Sequence, residues 1–273
     1  MKPKALVLFG DGINCDIETA QGLELAGFQA ERMHTSQFLN DPKKLLDAQL
    51  LALPGGFSFG DEIASGKVLA VKLRHRLQET LYKFIEQGKL VLGICNGFQV
   101  LTQLGLLPFS EADAKRVVTL DRNVGGKFIN RWTALRIDKN GKSAFFDSLD
   151  TIELPIRHGE GRLRLAADAP EEVHEQVKSH SALRYVEDVN GSYERIAALT
   201  NSKGNVLGLM PHPEAFVRFT QHPAWDREGR PRALCRQDAC APSQHGSAGI
   251  LPANPNREPD GLVILKNACK AAG

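Results

Sequence analysis

The chain has 273 residues, which is long enough to bury a full hydrophobic core as one large domain or as one domain with additions. Hydrophobic residues make up 42% of the sequence and charged residues 24%, as in an ordinary globular protein. The formal net charge is only +2 and no basic stripe with interleaved aromatic residues occurs, so nucleic-acid binding is not expected.

The sequence also gives no indication of export or of a membrane span. The charged start from Met1 to Lys4 is followed by an apolar run that is too short for a signal peptide. No apolar run approaches the length of a membrane span. The five cysteines are odd in number and scattered, unlike a disulfide framework. We therefore expect a cytoplasmic enzyme with no membrane partner.

Strands alternate with helices in the first part of the chain. Apolar runs predict strands over residues 5–9, 28–33, 50–53 and 90–92. A helix capped by Asn14 or Asp16 should run to Ala26 and end at Gly27, and a long amphipathic helix should cover residues 68–87. This alternation predicts a largely parallel sheet with helices on both faces and with ligands at the carboxyl ends of its strands.

The second part of the chain should complete the same sheet with short, partly antiparallel strands. These are predicted over residues 133–137, 152–156, 183–186, 196–199 and 206–210. Residues 227–257 have no sustained periodicity and are predicted to be a flexible surface insertion, in which Cys235 and Cys240 are incidental thiols rather than metal ligands. A helical pattern resumes at Asp260. We predict one domain over residues 1–226, whose C-terminal helix lies within residues 258–273.

The segment around Cys95 has the pattern of a nucleophile elbow. A strand-length apolar run leads into Gly93, and apolar residues then recur with helical spacing after Gly97. Strand, tight turn and helix therefore meet at Cys95, where the free N–H groups of the helix favour a thiolate. A buried structural cysteine is the alternative, but the two glycines at a strand-to-helix turn favour the nucleophile.

His212 is the strongest candidate for the partner of this thiol. It follows a strand-like run, lies between Pro211 and Pro213, and precedes Glu214 by two residues. A carboxylate at this spacing can hold one ring nitrogen while the other faces a substrate. The alternative is a solvated loop histidine, and only the fold can bring His212 to Cys95.

Four motifs together resemble the class I glutamine amidotransferases. They are PGGFSFGD (54–61), GICNGFQ (93–99), HGEG (158–161) and PHPE (211–214). Within this class the chain is similar to the glutaminase subunits of phosphoribosylformylglycinamidine synthase, over about residues 4–226 and the helix from Asp260. The resemblance implies a flavodoxin-like α/β fold of three layers, with a mostly parallel central sheet and a type 1 glutamine amidotransferase domain over residues 1–226.

The resemblance also assigns roles to individual residues. Cys95 would be the nucleophile, and His212 and Glu214 would complete a catalytic triad that hydrolyses L-glutamine to glutamate and ammonia. The resemblance further implies an oxyanion and substrate-binding set comprising Gly55, Gly56, Asn96, Gln99, His158 and Gly159. His158 is equally compatible with a structural role. Cys15, in the first loop, is interpreted as local structure.

The resemblance implies partners as well. The chain contains no Walker-type phosphate loop, so ATP and magnesium would belong to a separate synthetase large subunit, with a small third subunit also expected. No cofactor or metal is expected on this chain.

Two departures from the family pattern concern regions whose contacts the motifs do not define. The first loop reads GDGINCD instead of the more usual PGSNCD, and residues 227–257 have no counterpart in the family.

Three alternatives remain open from the sequence. One is another cysteine hydrolase of similar fold, against which the His-x-Glu at 212–214 counts. Another is a non-catalytic homologue that acts as a binding module. The third is the same chemistry serving a different acceptor.

Overall fold

The computed structural model describes residues 1–61, 63–109, 116–225 and 258–273. Its main feature is a nine-stranded sheet in the order β2-β1-β3-β4-β11-β10-β9-β6-β7, and a small second sheet pairs β5 with β8. The strands are β1 (Lys4–Phe9), β2 (Gln29–His34), β3 (Leu50–Leu53), β4 (Leu90–Ile94), β5 (Val118–Asp121), β6 (Ile129–Ile137), β7 (Thr151–His158), β8 (Arg162–Leu165), β9 (Ser181–Tyr185), β10 (Ile196–Thr200) and β11 (Val206–Leu209). The helices are α1 (Asp16–Ala26), α2 (Thr35–Asn40), α3 (Lys67–Glu86), α4 (Asn96–Leu104), α5 (Glu171–Ser179) and α6 (Asp260–Ala272).

One half of the large sheet is parallel. Strands β2, β1, β3, β4 and β11 pair in parallel, and every residue of β3, β4 and β11 is buried, as expected for strands covered on both faces. In the strand order, the connection from β1 to β2 runs towards one edge of the sheet, and the connection from β3 to β4 runs towards the other edge. Because such crossovers are right-handed, α1 and α3 lie on opposite faces of the sheet. The α/β class and the three-layer arrangement are therefore confirmed.

The other half of the large sheet is antiparallel, as predicted for the second part of the chain. Strand β11 pairs with β10, and the pairing continues through β9 and β6 to β7 at the edge. Although β7 is at the far edge in strand order, its end returns to β4 and β11. The Pro155 carbonyl accepts from the His212 N–H at 2.9 Å, and the Arg157 carbonyl accepts from the Cys95 thiol at 3.7 Å.

The helix at the C-terminus joins the two halves. Its first residue, Asp260, accepts a hydrogen bond from the Glu153 N–H of β7 at 2.8 Å, and the helix packs along α1. Asn267 donates from this helix to the carbonyls of Phe145 and Asp147. The predicted helix from Asp260 is thus confirmed, whereas the proposed insertion over 227–257 lies outside the described residues and stays a prediction.

Most predicted elements are present with boundaries shifted by one to four residues. One local detail is wrong: neither Asn14 nor Asp16 caps α1, because the cap position is occupied by Cys15, which makes no side-chain capping bond. The C-terminal end is as predicted, with Gly27 in the left-handed conformation at φ 111°. The sequence analysis missed four short elements, which are α2, α5, β5 and β8.

The parallel half reverses its winding direction between β1 and β3. In open α/β sheets the crevice at such a point, beyond the carboxyl ends of the strands, is where ligands bind. The loops that follow β1, β3, β4 and β11 all leave the sheet at this edge. Within the described residues, no helix is long and apolar enough to cross a membrane.

Candidate active site

Cys95 lies on a sharp turn between β4 and α4, as the elbow pattern predicts. Its backbone has φ 50° and ψ −103°, a conformation that side-chain-bearing residues rarely adopt and that costs roughly 1–3 kcal/mol. The turn needs both neighbouring glycines. A Cβ on Gly97 would lie 1.9 Å from the Leu53 carbonyl oxygen, and a Cβ on Gly93 would lie 2.7 Å from the Gly97 carbonyl oxygen. The tight packing holds the strained thiol at the N-terminus of α4.

His212 and Glu214 follow β11 and form a buried pair. The Nδ1 atom of His212 is 2.6 Å from Oε1 of Glu214, and both residues are about 2% exposed. Burial alone lowers the pKa of His212, but the Glu214 carboxylate and nearby thiols outweigh that effect and raise the pKa well above its ordinary value. His212 is therefore held as an imidazolium whose Nδ1–H donates to Glu214.

The structure brings Cys95 and His212 together across Gly55. A Cβ on Gly55 would lie 2.9 Å from Cε1 of His212 and 3.5 Å from Cβ of Cys95. The nearby Cys95 thiol also contributes to the raised pKa of His212. Thiol, imidazole and carboxylate thus form one continuous arrangement, which is the geometry needed to activate a thiol and to shuttle its proton.

Gly55 and Gly56 follow β3 and pass directly over this arrangement. Gly56 has φ 148°, and a Cβ there would lie 2.7 Å from the Gly12 carbonyl oxygen and 2.8 Å from the Asn14 backbone nitrogen. The loop therefore needs glycine to pack against the loop after β1. Its position beside Cys95 agrees with the predicted oxyanion role, which stays a prediction.

Asn96 and Gln99 connect the start of α4 to two neighbouring loops. Oδ1 of Asn96 accepts from the Ser58 N–H at 3.2 Å, and its Nδ2 donates to Gln99 Oε1 at 2.9 Å. Nε2 of Gln99 donates to the Glu160 carbonyl at 2.6 Å. Both side chains are buried, so they brace the site. Their predicted contact with substrate is not tested by these bonds.

His158 lies at the end of β7, close enough to His212 for the two rings to interact electrostatically. Burial, and then repulsion from His212, lower the pKa of His158 to about 4, so the ring is neutral near pH 7. Its Nδ1 is 3.0 Å from Oδ1 of Asn123, whose side-chain amide donates to the Lys127 and His158 carbonyls. Nε2 of His158 makes no hydrogen bond within the described residues. This nitrogen is an available acceptor beside the site.

Gly159 and Gly161 differ in how tightly they are enclosed. A Cβ on Gly161 would lie 2.4 Å from Nδ1 of His158, whereas a Cβ on Gly159 would meet only Cδ2 of Phe128 at 3.8 Å. The Gly159 carbonyl accepts from the Asn123 N–H at 2.9 Å. A side chain at Gly159 would therefore fit in ordinary van der Waals contact, and the predicted substrate contact of Gly159 stays a prediction.

Comparison with known proteins matches this arrangement to one family. The family model described as a CobB/CobQ-like glutamine amidotransferase domain matches residues 2–239. This chain belongs to that family. Among curated relatives of this amidotransferase, phosphoribosylformylglycinamidine synthase subunit PurQ of Dehalococcoides mccartyi is 39% identical over 84% of this chain and 91% of its own length. The PurQ subunit of Thermotoga maritima is 40% identical over 80% of this chain and 90% of its own length.

A solved structure supports the same relationship. The structure of PurLQS from Thermotoga maritima contains a chain 38% identical to this amidotransferase, with a TM-score of 0.65. The match covers 81% of this chain and 92% of that one.

Cys15 is a member of the site that the sequence analysis did not place there. Its Sγ is 3.3 Å from the position of a Cβ on Gly55, on which His212 and Cys95 also converge. Burial raises the pKa of the Cys15 thiol, while the nearby His212 side chain lowers it. The loop after β1 therefore places this thiol in the crevice where the winding direction of the sheet reverses, beside Cys95 and His212. The sequence alone could not place Cys15 here, because the contact between this loop and the loop after β3 follows from the strand order.

Proposed function

We propose that this chain is the glutamine amidotransferase subunit of phosphoribosylformylglycinamidine synthase, which supplies ammonia for de novo purine biosynthesis. The observation that carries the proposal is the buried arrangement of Cys95, His212 and Glu214 at the carboxyl edge of the parallel strands. The relatives that share most of the chain are named as PurQ subunits of this synthase. The reaction is the hydrolysis of L-glutamine to glutamate and ammonia.

The first half of the reaction makes a thioester. The Cys95 sulfur, as a thiolate, attacks the side-chain carbonyl carbon of glutamine, and negative charge develops on the carbonyl oxygen. We assign the role of holding that oxyanion to the backbone N–H groups of Gly56 and Asn96, because Gly56 follows Gly55 beside Cys95 and Asn96 is the first residue of α4. Preorganised donors of this kind typically stabilise the transition state by about 3–4 kcal/mol each. Imidazolium His212 then protonates the departing nitrogen, and the carbon–nitrogen bond breaks to release ammonia.

The second half of the reaction hydrolyses the thioester. His212, now neutral, takes a proton from a water molecule that attacks the glutamyl carbonyl carbon. Collapse of this second tetrahedral intermediate releases glutamate and returns the sulfur of Cys95. Throughout both halves Glu214 holds the Nδ1–H of His212, so that Nε2 is the nitrogen that exchanges the proton.

The ammonia is used by a partner. The Thermotoga maritima relative was solved as a PurLQS complex, and this chain is proposed to assemble in the same way with a synthetase large subunit and a small third subunit. ATP and magnesium would act on the large subunit, and no cofactor or metal is needed by the triad's own chemistry. We further propose that the complex is cytoplasmic.

Glutamine hydrolysis with and without the partners tests this proposal. The expected result is glutamate release that rises when the synthetase subunits, formylglycinamide ribonucleotide and ATP are added. A rate of glutamate release that stays unchanged on these additions would show glutaminase activity but contradict the assignment to purine biosynthesis. Absence of hydrolysis from the assembled complex would favour a non-catalytic binding module.

The Cys95→Ala variant supplies the matched control. It should lose glutamine-dependent synthesis, yet the assembled complex should still use added ammonia, because only the source of ammonia has been removed. Loss of both activities with the complex intact would make Cys95 a structural residue.

A further inference from the structure

A second thiol lies beside the catalytic imidazole, and the proposed reaction does not use it. Cys15 precedes α1, and its backbone N–H donates to the Gly55 carbonyl at 3.2 Å. Its Sγ contacts Oδ1 of Asn14 at 3.4 Å on one side and approaches His212 on the other. The backbone of Cys15 is therefore fixed to the Gly55 loop, and its thiol is held beside His212.

The atoms at this point have the character and spacing of a metal site. Ligand atoms of Cys15, His212 and Glu214 lie within 4.8 Å of one another. Nε2 of His212 is buried and makes no hydrogen bond of standard geometry within the described residues. Cys95 is the third group that converges on Gly55, because its Cβ is 3.5 Å from the point that a Cβ on this glycine would occupy. Two sulfurs and one imidazole nitrogen are ligands that Zn²⁺ prefers.

The carboxylate of Glu214 binds the ring nitrogen of His212 that does not take part in the site. It is 2.6 Å from Nδ1 of His212, so Nε2 is the ring nitrogen that is left to bind a cation. A carboxylate that holds the far nitrogen of a histidine is the usual second layer of a zinc site, where it fixes the ring and strengthens the ligand. The same bond that prepares His212 for proton transfer therefore also prepares it for a cation.

We infer that the Sγ atoms of Cys15 and Cys95, together with Nε2 of His212, form a regulatory site for a thiophilic divalent cation of the Zn²⁺ class. The inference rests on the proposed function, because it makes the same site subject to inhibition. Coordination displaces the protons of the two thiols and of the His212 Nε2–H to solvent and involves no oxidation. Zinc–sulfur bonds near 2.3 Å and zinc–nitrogen bonds near 2.0 Å would draw these three side chains together around the ion.

Binding of the cation would stop glutamine hydrolysis reversibly. The metal would occupy both the sulfur that attacks glutamine and the ring nitrogen that carries its proton, so no thioester could form. A chelator would remove the cation and restore activity, because no covalent bond to carbon and no disulfide is made. Cys15 is the ligand that distinguishes this site from a simple cysteine–histidine pair.

Binding is measured first, without any activity assay. The full-length chain carries Cys235→Ser and Cys240→Ser as a common background, which removes the two other thiols that are close in sequence. Metal-free protein is titrated with Co²⁺, whose thiolate charge-transfer absorption reports sulfur ligands, and Zn²⁺ is then used to displace it. We expect one equivalent per chain and a loss of at least about tenfold in affinity with Cys15→Ser.

Cys269→Ser is the matched control, because Cys269 is a partly buried thiol on α6. It should bind Co²⁺ as the background protein does. Unchanged charge-transfer absorption and affinity in Cys15→Ser, or equal losses in Cys269→Ser, would overturn the inference. Because this readout needs no catalysis, it stands even if the chain proves not to hydrolyse glutamine.

Inhibition is measured second, on the complex with its synthetase partners. Each variant's glutamine hydrolysis in Zn²⁺ is compared with its own rate in chelator. The concentration of Zn²⁺ that halves the rate should rise at least about tenfold in Cys15→Ser and stay unchanged in Cys269→Ser. Equal zinc sensitivity of Cys15→Ser and the background would contradict the regulatory site, even where the triad is shown to be active.

Discussion

The parallel and antiparallel halves of the large sheet divide the work of the site differently. The parallel half carries Cys95 and His212 on loops that follow fully buried strands, and its turns are fixed by glycines. The antiparallel half contributes backbone carbonyls from Pro155 and Arg157, and a neutral His158 held by Asn123. The thiol and the imidazole come from the parallel half, while the antiparallel half supplies the groups that contact them.

This difference shows what each half must preserve. In the parallel half a single added methyl group meets a neighbouring backbone, because strands, turns and helices are in direct contact there. In the antiparallel half the loop after β7 is held by hydrogen bonds from Asn123, and an added methyl group has room at Gly159 although not at Gly161. Added bulk at Gly159 should therefore matter less than the loss of the Asn123 side chain. Four substitutions test this contrast.

Glu214→Gln should have the largest effect, on activity. The amide oxygen can still accept from Nδ1 of His212, but the charge that raises the pKa of His212 is gone, so burial lowers it. The imidazolium then persists only to lower pH, and the decline in rate on the alkaline side should move to lower pH. We expect kcat for glutamine hydrolysis to fall by about 10³. A full pH profile with an unshifted decline would mean that Glu214 does not set the protonation of His212.

Gly97→Ala should give the largest loss of stability. Its new Cβ would lie 1.9 Å from the Leu53 carbonyl oxygen, so α4 must move away from β3, at about 3 kcal/mol or more. Gly159→Ala is the matched control in the antiparallel half, where the nearest atom is 3.8 Å away. Urea unfolding of both variants measures the contrast. Equal losses would show that the turns at Gly97 and Gly159 are equally tightly packed.

Asn123→Ala should destabilise the antiparallel half by about 2 kcal/mol. The side chain makes four hydrogen bonds, to Lys127, His158 and Gly161. Three of the four are buried, and their partners would be left unsatisfied. Asn140→Ala, at an exposed turn in the same half, should stay within about 0.5 kcal/mol of wild type. Chemical unfolding is again the measurement, and a neutral Asn123→Ala would mean that this network does not hold the loop.

His158→Asn should have the smallest effect, confined to mildly acidic pH. Because the pKa of His158 is about 4 in the folded chain and 6.5 when unperturbed, the unfolded state binds more protons between these values. Stability therefore falls as pH drops through this window, by about 1 kcal/mol between pH 7 and pH 5.5. Asparagine keeps the donor to Asn123 but does not titrate, so this part of the acid loss should disappear. An unchanged acid profile would contradict the assignment.

The sequence predicted the parallel half well because its signals are local. A buried strand, two glycines and an amphipathic helix identify the turn at Cys95, and the His-x-Glu spacing alone brings Glu214 to His212. The positive φ of Cys95 follows from the same turn. These features depend on residues that are neighbours in the chain, and the structure needed only to confirm that the two strand ends meet.

The remainder depended on contacts between distant segments. Cys15 was interpreted as local structure because nothing near it in sequence indicates that β1 and β3 are adjacent. The hydrogen bonds of Pro155 and Arg157 with His212 and Cys95 join segments that are far apart in the chain, which strand patterns do not encode. Asn123 was missed for the same reason, since its partners on β7 and in the loop after it lie 35 or more positions away.

Trapping the covalent intermediate tests the central claim most directly. The complex would be mixed with glutamine, quenched in acid during turnover, and digested for mass spectrometry. The triad predicts one glutamyl group in thioester linkage on the peptide that contains Cys95, absent from Cys95→Ala and increased when His212 is replaced by a residue that slows hydrolysis of the thioester more than its formation. A glutamyl group on Cys15 instead, or turnover with no glutamyl adduct on Cys95, would contradict the assignment of Cys95 as the nucleophile.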